Sequence, residues 1–359
     1  WATNPVEGVI QGSRLFAFSF LALLAAHAVS PANIRSIYAA VGVAGAVVSL
    51  IGISQYFGWS LSNQIPTVGN PSATFGYRNI AASYLVVTIP PVATFAWTAS
   101  TRRAQSAGFL SVTLMGLFLV YTRTRGAWLG FAGAVFVGII LLVWIRAGLG
   151  SDLIGLARSR ARFFMLVAAL LVIGLGALLP HRMQREGKFR FDERKTDVIT
   201  TLSKTFSPSD SRGRLTVWGH TLEMVLDHPL FGVGLGSWQY EYPRYDRGDV
   251  ITHNVAPQRP HNDLLWILSE TGVLGLAAYL WVLFTLVKSV GKSITERPDS
   301  PQTKWILGIA LGILALVGHS MFSFPRERPA PSMMFWMGIG LAVRLAHGRA
   351  SDPKPVSLQ

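Results

Sequence analysis

Residues 259–288 read RPHNDLLWILSETGVLGLAAYLWVLFTLVK, a polar cluster joined directly to a long apolar run. Residues 273–287 are uncharged and supply most of the roughly 20 apolar residues that a helix needs to cross a bilayer. Gly272 itself predicts a break between the two parts. The stretch therefore predicts a transmembrane helix that has His261, Asn262 and Asp263 at its mouth.

The composition of the whole chain agrees with that interpretation. Half of its 359 residues are hydrophobic and 14% are charged, against about 25% charged in soluble domains, and the mean hydropathy is +0.39. We therefore predict an all-α polytopic membrane protein. Nine stretches are long and apolar enough to span a membrane, near residues 13–30, 34–57, 79–99, 106–122, 127–146, 162–180, 269–288, 304–323 and 332–347.

The predicted spans divide the chain into four parts. Six helices occupy residues 1–180, a polar segment follows at 181–262, three helices occupy 263–347, and 348–359 form a cytoplasmic tail. We expect the polar segment to be one large loop that carries part of the functional site. Because the sequence begins at Trp1, we also expect the chain to lack an N-terminal portion.

The net charge of +14 raises the question of a nucleic-acid partner. Lysine and arginine are, however, spread over many short loops and form neither a single basic face nor an RNA-binding signature. No nucleic-acid partner is therefore expected. The chain also has no cysteine, which excludes disulfides and thiolate metal sites.

The distribution of basic residues predicts how the helices are oriented. With the C-terminus in the cytoplasm, the short cytoplasmic segments hold fourteen lysines and arginines, and the short outer segments hold six. The long polar segment then lies on the outer side. The six outer residues are Arg14, Arg78, Arg123, Arg125, Arg326 and Arg328.

Several arginines at one outer face predict an anionic ligand, because an arginine at a membrane is costly unless it meets an anion or a cavity. A guanidinium holds phosphate oxygens through two parallel hydrogen bonds and stays charged at any working pH. A diphosphate leaving group can be stabilised by such a clamp or by a divalent metal. The outer segments contain no DxD pair, so we favour the arginines and expect neither a metal nor a cofactor.

His261 supplies a second ingredient. A histidine, with an ordinary pKa of about 6.5, can take a proton from a sugar hydroxyl near neutral pH. Asn262 and Asp263 are placed to orient its ring or to contact sugar hydroxyls. The alternative for His261 is a polar residue that caps the helix at the membrane interface, and the alternative for the arginines is an anchor that reaches lipid phosphate.

This polar cluster resembles the ligase branch of the bacterial O-antigen ligase and O-antigen polymerase superfamily. That branch carries a His followed by Asn, Ser or Gln, then nine residues, a Gly, two residues and a Gly, Thr or Tyr. Here the pattern falls on His261, Asn262, Gly272 and Gly275. Together with the topology, the resemblance covers roughly residues 60–345.

Two arginines extend the resemblance. Arg125 with Leu129 fits the Arg-x3-Leu element of the branch. Arg214 resembles the family's outer-loop arginine, which precedes a Pro-x-x-Gly-x-Gly turn, and Trp218 stands where that element has Leu.

The resemblance implies a membrane glycosyltransferase C-type fold of about twelve spans in full length, of which nine are present here. It implies transfer of a glycan from undecaprenyl diphosphate on the periplasmic face of the bacterial inner membrane, most directly O-antigen ligation to lipid A-core. No metal is needed, His261 acts as base, and Arg125 and Arg214 hold the diphosphate. The further candidates for substrate binding are Asn262, Asp263, Arg123, Arg78, His319 and Arg326.

Other functions remain open at this point. An O-antigen or exopolysaccharide polymerase and a protein O-oligosaccharyltransferase use the same donor with another acceptor. A transporter of lipid-linked glycan belongs to a different class, but the inverted repeats expected of many transporters are not seen. The glycines of FGVGLG at 231–236 lack the preceding strand that a dinucleotide loop needs, so we interpret them as a turn or a close backbone approach.

Overall fold

The computed structural model describes residues 3–59, 71–149, 160–180, 198, 201, 212–253 and 256–347. No β-strand occurs within these ranges. The helices are α1 Pro5–Ala28, α2 Ile34–Tyr56, α3 Arg78–Thr98, α4 Arg102–Tyr121, α5 Arg125–Leu149, α6 Arg160–Ala177, α7 Arg212–Asp227, α8 Trp238–Glu241, α9 Asp263–Glu296, α10 Pro301–Ser320 and α11 Pro329–His347. Short 3-10 turns lie at Pro31–Asn33, Tyr242–Arg244 and Pro325–Glu327.

The predicted all-α membrane architecture is confirmed. Each of the nine predicted spans falls on a helix, namely α1 to α6 and α9 to α11. Among the described residues, α1 to α4, α9 and α10 are long and apolar enough to cross a membrane by length and composition. The apolar parts of α5 and α6, Arg125–Leu141 and Ala161–Ala177, are shorter.

Capping residues explain why two helices begin earlier than predicted. The side chain of Asn4 accepts a hydrogen bond from the backbone N–H of Glu7 at 3.1 Å, and Pro5 suits the first helical position. Helix α1 therefore begins at Pro5 and not near residue 13. In the same way Asn262 caps α9, which begins before its apolar run does.

Helix α10 lies at the centre of the bundle. It packs against α3 and α5 on one side and against α9 and α11 on the other. Within an apolar stretch of 18 residues in each helix, 61% of the residues of α10 and 67% of those of α3 are buried inside the protein. The corresponding share in α1 is only 6%. Helix α1 packs mainly along α11 and leaves most of its surface for lipid.

The polar segment before α9 contains a helix, α7, that the sequence analysis missed. Apolar residues of this segment form a small second core with α9 and the turn between α10 and α11. Its buried members are Val217, Met224, Val233, Trp238, Tyr242, Trp266 and Phe324. The segment is thus packed onto the end of the bundle at which α3, α5, α9 and α11 begin, here called the loop end. Most of 181–211 lies outside the described residues.

Candidate active site

His261 lies in the turn directly before α9. Its φ is +56°, in a left-handed region that costs a non-glycine residue on the order of 1–3 kcal/mol. The helix cap is the next residue, because Oδ1 of Asn262 accepts a hydrogen bond from the backbone N–H of Leu265 at 3.1 Å. The alternative role of His261 as the cap is therefore wrong, and its strained backbone is maintained by the surrounding tertiary contacts.

The environment of the His261 ring combines burial with positive charge. The ring packs edge-on against Phe324, with centroids 5.1 Å apart, and Nδ1 is buried without a hydrogen-bond partner among the described residues. Burial, then the charges of Arg214 and Arg259, lower the pKa of His261 to about 4. The imidazole is therefore neutral at neutral pH and is able to accept a proton.

Arg214 is brought to His261 by α7. One turn along that helix, the indole Nε1–H of Trp218 donates a hydrogen bond to the carbonyl oxygen of Pro260 at 2.7 Å. The tryptophan that replaces the expected leucine thus ties α7 to the histidine turn. The charge of Arg214 acts on both His261 and His319, so Arg214 lies within electrostatic range of both parts of the site.

The second part of the site is built by the first turns of α3 and α5. The hydroxyl of Thr124 donates to Oδ1 of Asn79 at 3.2 Å, which joins the α4–α5 turn to the start of α3. This contact brings together three predicted arginines, since Arg78 begins α3, Arg125 begins α5 and Arg123 is buried in the turn between α4 and α5 with φ at +53°.

His319 lies at the end of α10, beside these arginines. Its Nε2 is 3.1 Å from the hydroxyl oxygen of Ser83 on α3, and Gly126 on α5 packs against its ring. With 1% of its surface exposed, it is a core residue of the bundle. Direct substrate contact by His319 stays a prediction.

Arg326 and Asp263 are linked across two turns. Oδ2 of Asp263 accepts a hydrogen bond from the backbone N–H of Arg326 at 3.0 Å. The guanidinium of Arg326 lies 4.6 Å from the ring centroid of Trp266 and 3.4 Å from a carboxylate oxygen of Glu270. One oxygen of Asp263, Oδ1, remains buried without a partner in the described part of the chain. Asn262, Asp263 and Arg326 thus hold the His261 turn in place, and their roles in substrate binding stay predictions.

Arg259 and Glu327 are two functional candidates that the sequence analysis missed. They form an ion pair between the turn before His261 and the α10–α11 turn. The guanidinium of Arg259 also lies over the ring of Phe324, 4.9 Å from its centroid. The position of Arg259, two residues before His261, was the available signal, but its partner is 68 residues away.

Helix α9 is kinked where the sequence predicted a break. Gly272 has φ +65° and ψ −169° within the helix, so the carbonyls of the preceding turn lose their usual helical donors. Two backbone amides of the polar segment that precedes α9 replace these donors. The N–H of Val233 donates to the carbonyl of Ser269 at 2.9 Å, and that of Gly234 donates to the carbonyl of Glu270 at 3.0 Å.

The exchange is completed in the other direction. The N–H of Val273, beyond the kink, donates to the carbonyl of Pro229 at 2.9 Å. Gly232 and Gly272 both have positive φ and face each other's segments so closely that a methyl group on either would overlap backbone atoms. The interpretation of FGVGLG as a close backbone approach is confirmed.

One cluster among the described residues has the composition of a metal site. It comprises His220, Asp246 and Asp249 of the polar segment that precedes α9. The carboxylate of Asp246, however, already accepts backbone hydrogen bonds from Gly248, Val250 and Ile251. Its oxygens are therefore engaged in holding the loop, and the residues fit a structural clamp better than a metal centre.

Comparison with known proteins points to one family over part of the chain. A family model described as O-Antigen ligase matches residues 110–280. A Haemophilus influenzae protein of uncharacterized function is 22% identical over 216 residues, which is 60% of this chain and 50% of the relative. A Rickettsia conorii protein with the name "Putative polysaccharide ligase" is 28% identical over 114 residues, 30% of this chain and 27% of the relative.

A second protein of that name, from Rickettsia typhi, is 31% identical over 83 residues, 21% of this chain and 20% of the relative. The chain thus spans about half the length of the first relative and less of the other two. The matched range 110–280 contains Arg125, Arg214 and His261. Residues 110–280 of the chain are thus similar to the O-antigen ligase family, which supports the resemblance that the sequence motifs indicate.

Proposed function

We propose that the protein transfers a glycan from undecaprenyl diphosphate to an acceptor on the periplasmic face of the inner membrane, and that the reaction is ligation of O-antigen to lipid A-core. The observation that carries this proposal is the environment of His261. A neutral imidazole with an unpartnered nitrogen lies beside Arg214 and Arg259, at the mouth of a membrane helix. A base beside fixed positive charges suits attack by a hydroxyl and departure of a diphosphate.

In this mechanism His261 takes the proton of the acceptor hydroxyl. The acceptor oxygen forms a bond to the anomeric carbon of the glycan while the bond from that carbon to the phosphate oxygen breaks. Arg214 and Arg125 neutralise the charge that develops on the departing undecaprenyl diphosphate. The bound diphosphate also raises the pKa of His261, because its negative charges oppose the two arginines that lower it. Donor binding therefore makes His261 a stronger base.

The experiment supplies the purified protein with radiolabelled carrier-linked glycan and three acceptors in separate reactions: lipid A-core, a second carrier-linked repeat, and a pilin-like protein. We expect label on lipid A-core. Label on the second carrier would instead identify a polymerase, and label on the protein would identify an O-oligosaccharyltransferase. Movement of the carrier across proteoliposomes without any new glycosidic bond would identify a transporter and contradict the proposal.

A further inference from the structure

A cavity of about 310 Å³ lies beside the His261 turn, bounded by α1, α9, α10 and α11. This volume is at the lower end of the roughly 300–1,000 Å³ that ligand pockets occupy. Most of its wall is apolar and includes Leu15, Phe18, Ile267, Val282 and Phe335. Such a wall suits a hydrocarbon chain.

The remaining wall of the cavity is polar. It is formed by Arg14 on α1, Arg326 on the α10–α11 turn, and the carboxylates of Asp263 and Glu327. Arg14 is an exposed side chain at the tenth position of a membrane helix, and it makes no hydrogen bond or ion pair within the described ranges. An arginine at this position needs an anion, because charge at a membrane is costly without one.

The neighbouring carboxylates do not supply that anion. Glu327 is engaged by Arg259 and Arg328, and Asp263 accepts a hydrogen bond from the backbone of Arg326. Glu270, at 3.4 Å, is a long partner for the Arg326 guanidinium. When the charged residues of the wall are counted together with their ion-pair partners Arg259, Arg328 and Glu270, four arginines face three carboxylates, and Arg14 is the arginine left over.

We propose that this cavity binds the acceptor, and that the acceptor is a phosphorylated lipid, with a hydrocarbon chain in the cavity and its phosphate between Arg14 and Arg326. The identification of the occupant as an acceptor rests on the proposed function. A transfer reaction needs the acceptor hydroxyl beside the base, and Asp263, two residues from His261, lines the cavity. Arg125 lies beside His319, away from the cavity wall, and is left for the donor.

The first test measures lipid binding without turnover, by native mass spectrometry of the detergent-solubilised protein. The probes are a short-chain phosphatidic acid, the diacylglycerol with the same chains, and inorganic phosphate. We expect the phosphatidic acid alone to bind, and Arg14→Gln to weaken it roughly tenfold or more because a charge-assisted contact is lost. Arg102→Gln, an exposed arginine at the opposite end of the bundle, is the matched control.

Three results would overturn the proposal: equal binding of the diacylglycerol, equal binding of inorganic phosphate, or unchanged affinity in Arg14→Gln. A second variant, Ala278→Phe, adds bulk to the cavity wall while leaving Arg14 intact. It should lower affinity for the phosphatidic acid as well, and full affinity in this variant would also count against the proposal.

The second test distinguishes acceptor from donor in the transfer assay. Arg14→Gln should raise KM for the acceptor lipid and leave KM for the carrier-linked donor unchanged. If KM for the donor rises instead, the cavity belongs to the donor and the proposal is overturned. The binding test needs no catalysis. If the parent protein fails to transfer glycan, the proposed function is refuted, but the binding test still measures whether the cavity requires a phosphate and a hydrocarbon chain.

Discussion

The two histidines at the loop end, His261 and His319, differ in what holds them. His261 lies in a turn with strained backbone, and its ring is influenced by Phe324 and Arg214 from other segments and by Arg259 from its own turn. His319 lies on a regular helix, and its ring contacts Ser83 and Gly126 inside the bundle. In the proposed function, the first arrangement places a proton acceptor where a lipid-borne substrate would arrive, whereas the second joins three helices. The same residue type thus has a chemical setting in one region and a packing setting in the other.

The largest expected effect is on the His261 side of this comparison. His261→Ala should lower the transfer rate by about 10²–10⁴, the usual cost of losing a general base, while expression and thermal stability are kept. The control is His253→Ala, because His253 is an exposed histidine of the polar segment that precedes α9. Near-normal turnover in the purified His261→Ala protein would contradict the assignment.

The next effect concerns the arginines that connect the two histidine regions. Arg125→Ala and Arg214→Ala should each impair both turnover and binding of undecaprenyl diphosphate, and Arg125→Lys should remain impaired because lysine keeps the charge but loses the planar fork. The double Ala variant should be little worse than either single one, since groups that hold one ligand as a unit lose activity non-additively. Unchanged carrier binding in both single variants, measured by native mass spectrometry, would make these residues interfacial anchors.

The pH dependence sharpens the chemical setting of His261. Its folded pKa of about 4 lies below the ordinary value of about 6.5, so the neutral, active form persists as pH falls below 6.5. The acidic limb of kcat/KM, which reports the free enzyme, should therefore lie near pH 4. The stability contributed by the neutral ring is present above pH 6.5 and is lost between pH 6.5 and 4, where only the unfolded chain takes up the proton. An acidic limb at 6.5 would indicate that neither the burial of the ring nor the charges of Arg214 and Arg259 lower its pKa in the working enzyme.

A smaller effect is expected from His319→Gln. Hydrogen bonds between membrane helices average about 0.6 kcal/mol in double-mutant cycles, so the melting temperature should fall by about 1–2 °C at most. Turnover should change by less than that of any variant above. If His319→Gln lost as much turnover as His261→Ala while the fold stayed intact, His319 would have a direct role in the reaction and not only in packing.

No effect on turnover is expected from excess chelator, because the arginines replace a divalent metal in the proposed mechanism. If EDTA stops transfer and Mg²⁺ or Mn²⁺ restores it, the arginine clamp is wrong. Melting curves recorded with and without EDTA test the cluster of His220, Asp246 and Asp249 separately. A chelator-sensitive melting temperature with unchanged turnover would show a structural ion in that loop.

The sequence predicted the parts of this molecule that depend on local pattern. Nine apolar stretches predicted nine helices, and Gly272 predicted a break, because hydropathy and backbone freedom act within one segment. Helix α7 was missed because its apolar residues are interspersed with polar ones and meet their partners in the second core only after folding. The pairing of Arg259 with Glu327 and the cavity beside Arg14 depend on segments that are far apart in the chain. The sequence around Arg259 or Arg14 does not indicate which distant residues it meets.

The exchange of backbone hydrogen bonds at Gly272 also fixes the position of α9 along its axis relative to the polar segment that precedes it. A carbonyl left without a donor in hydrocarbon costs several kcal/mol, so the kink is tolerated only where the amides of Val233 and Gly234 reach it. The helix therefore cannot slide along its own axis without breaking those bonds. His261 lies about three helical turns from the kink, so its position along the axis of α9 is fixed by the same bonds. In the proposed reaction, a carbon carried on a membrane-anchored lipid would then meet the imidazole at one level along that axis.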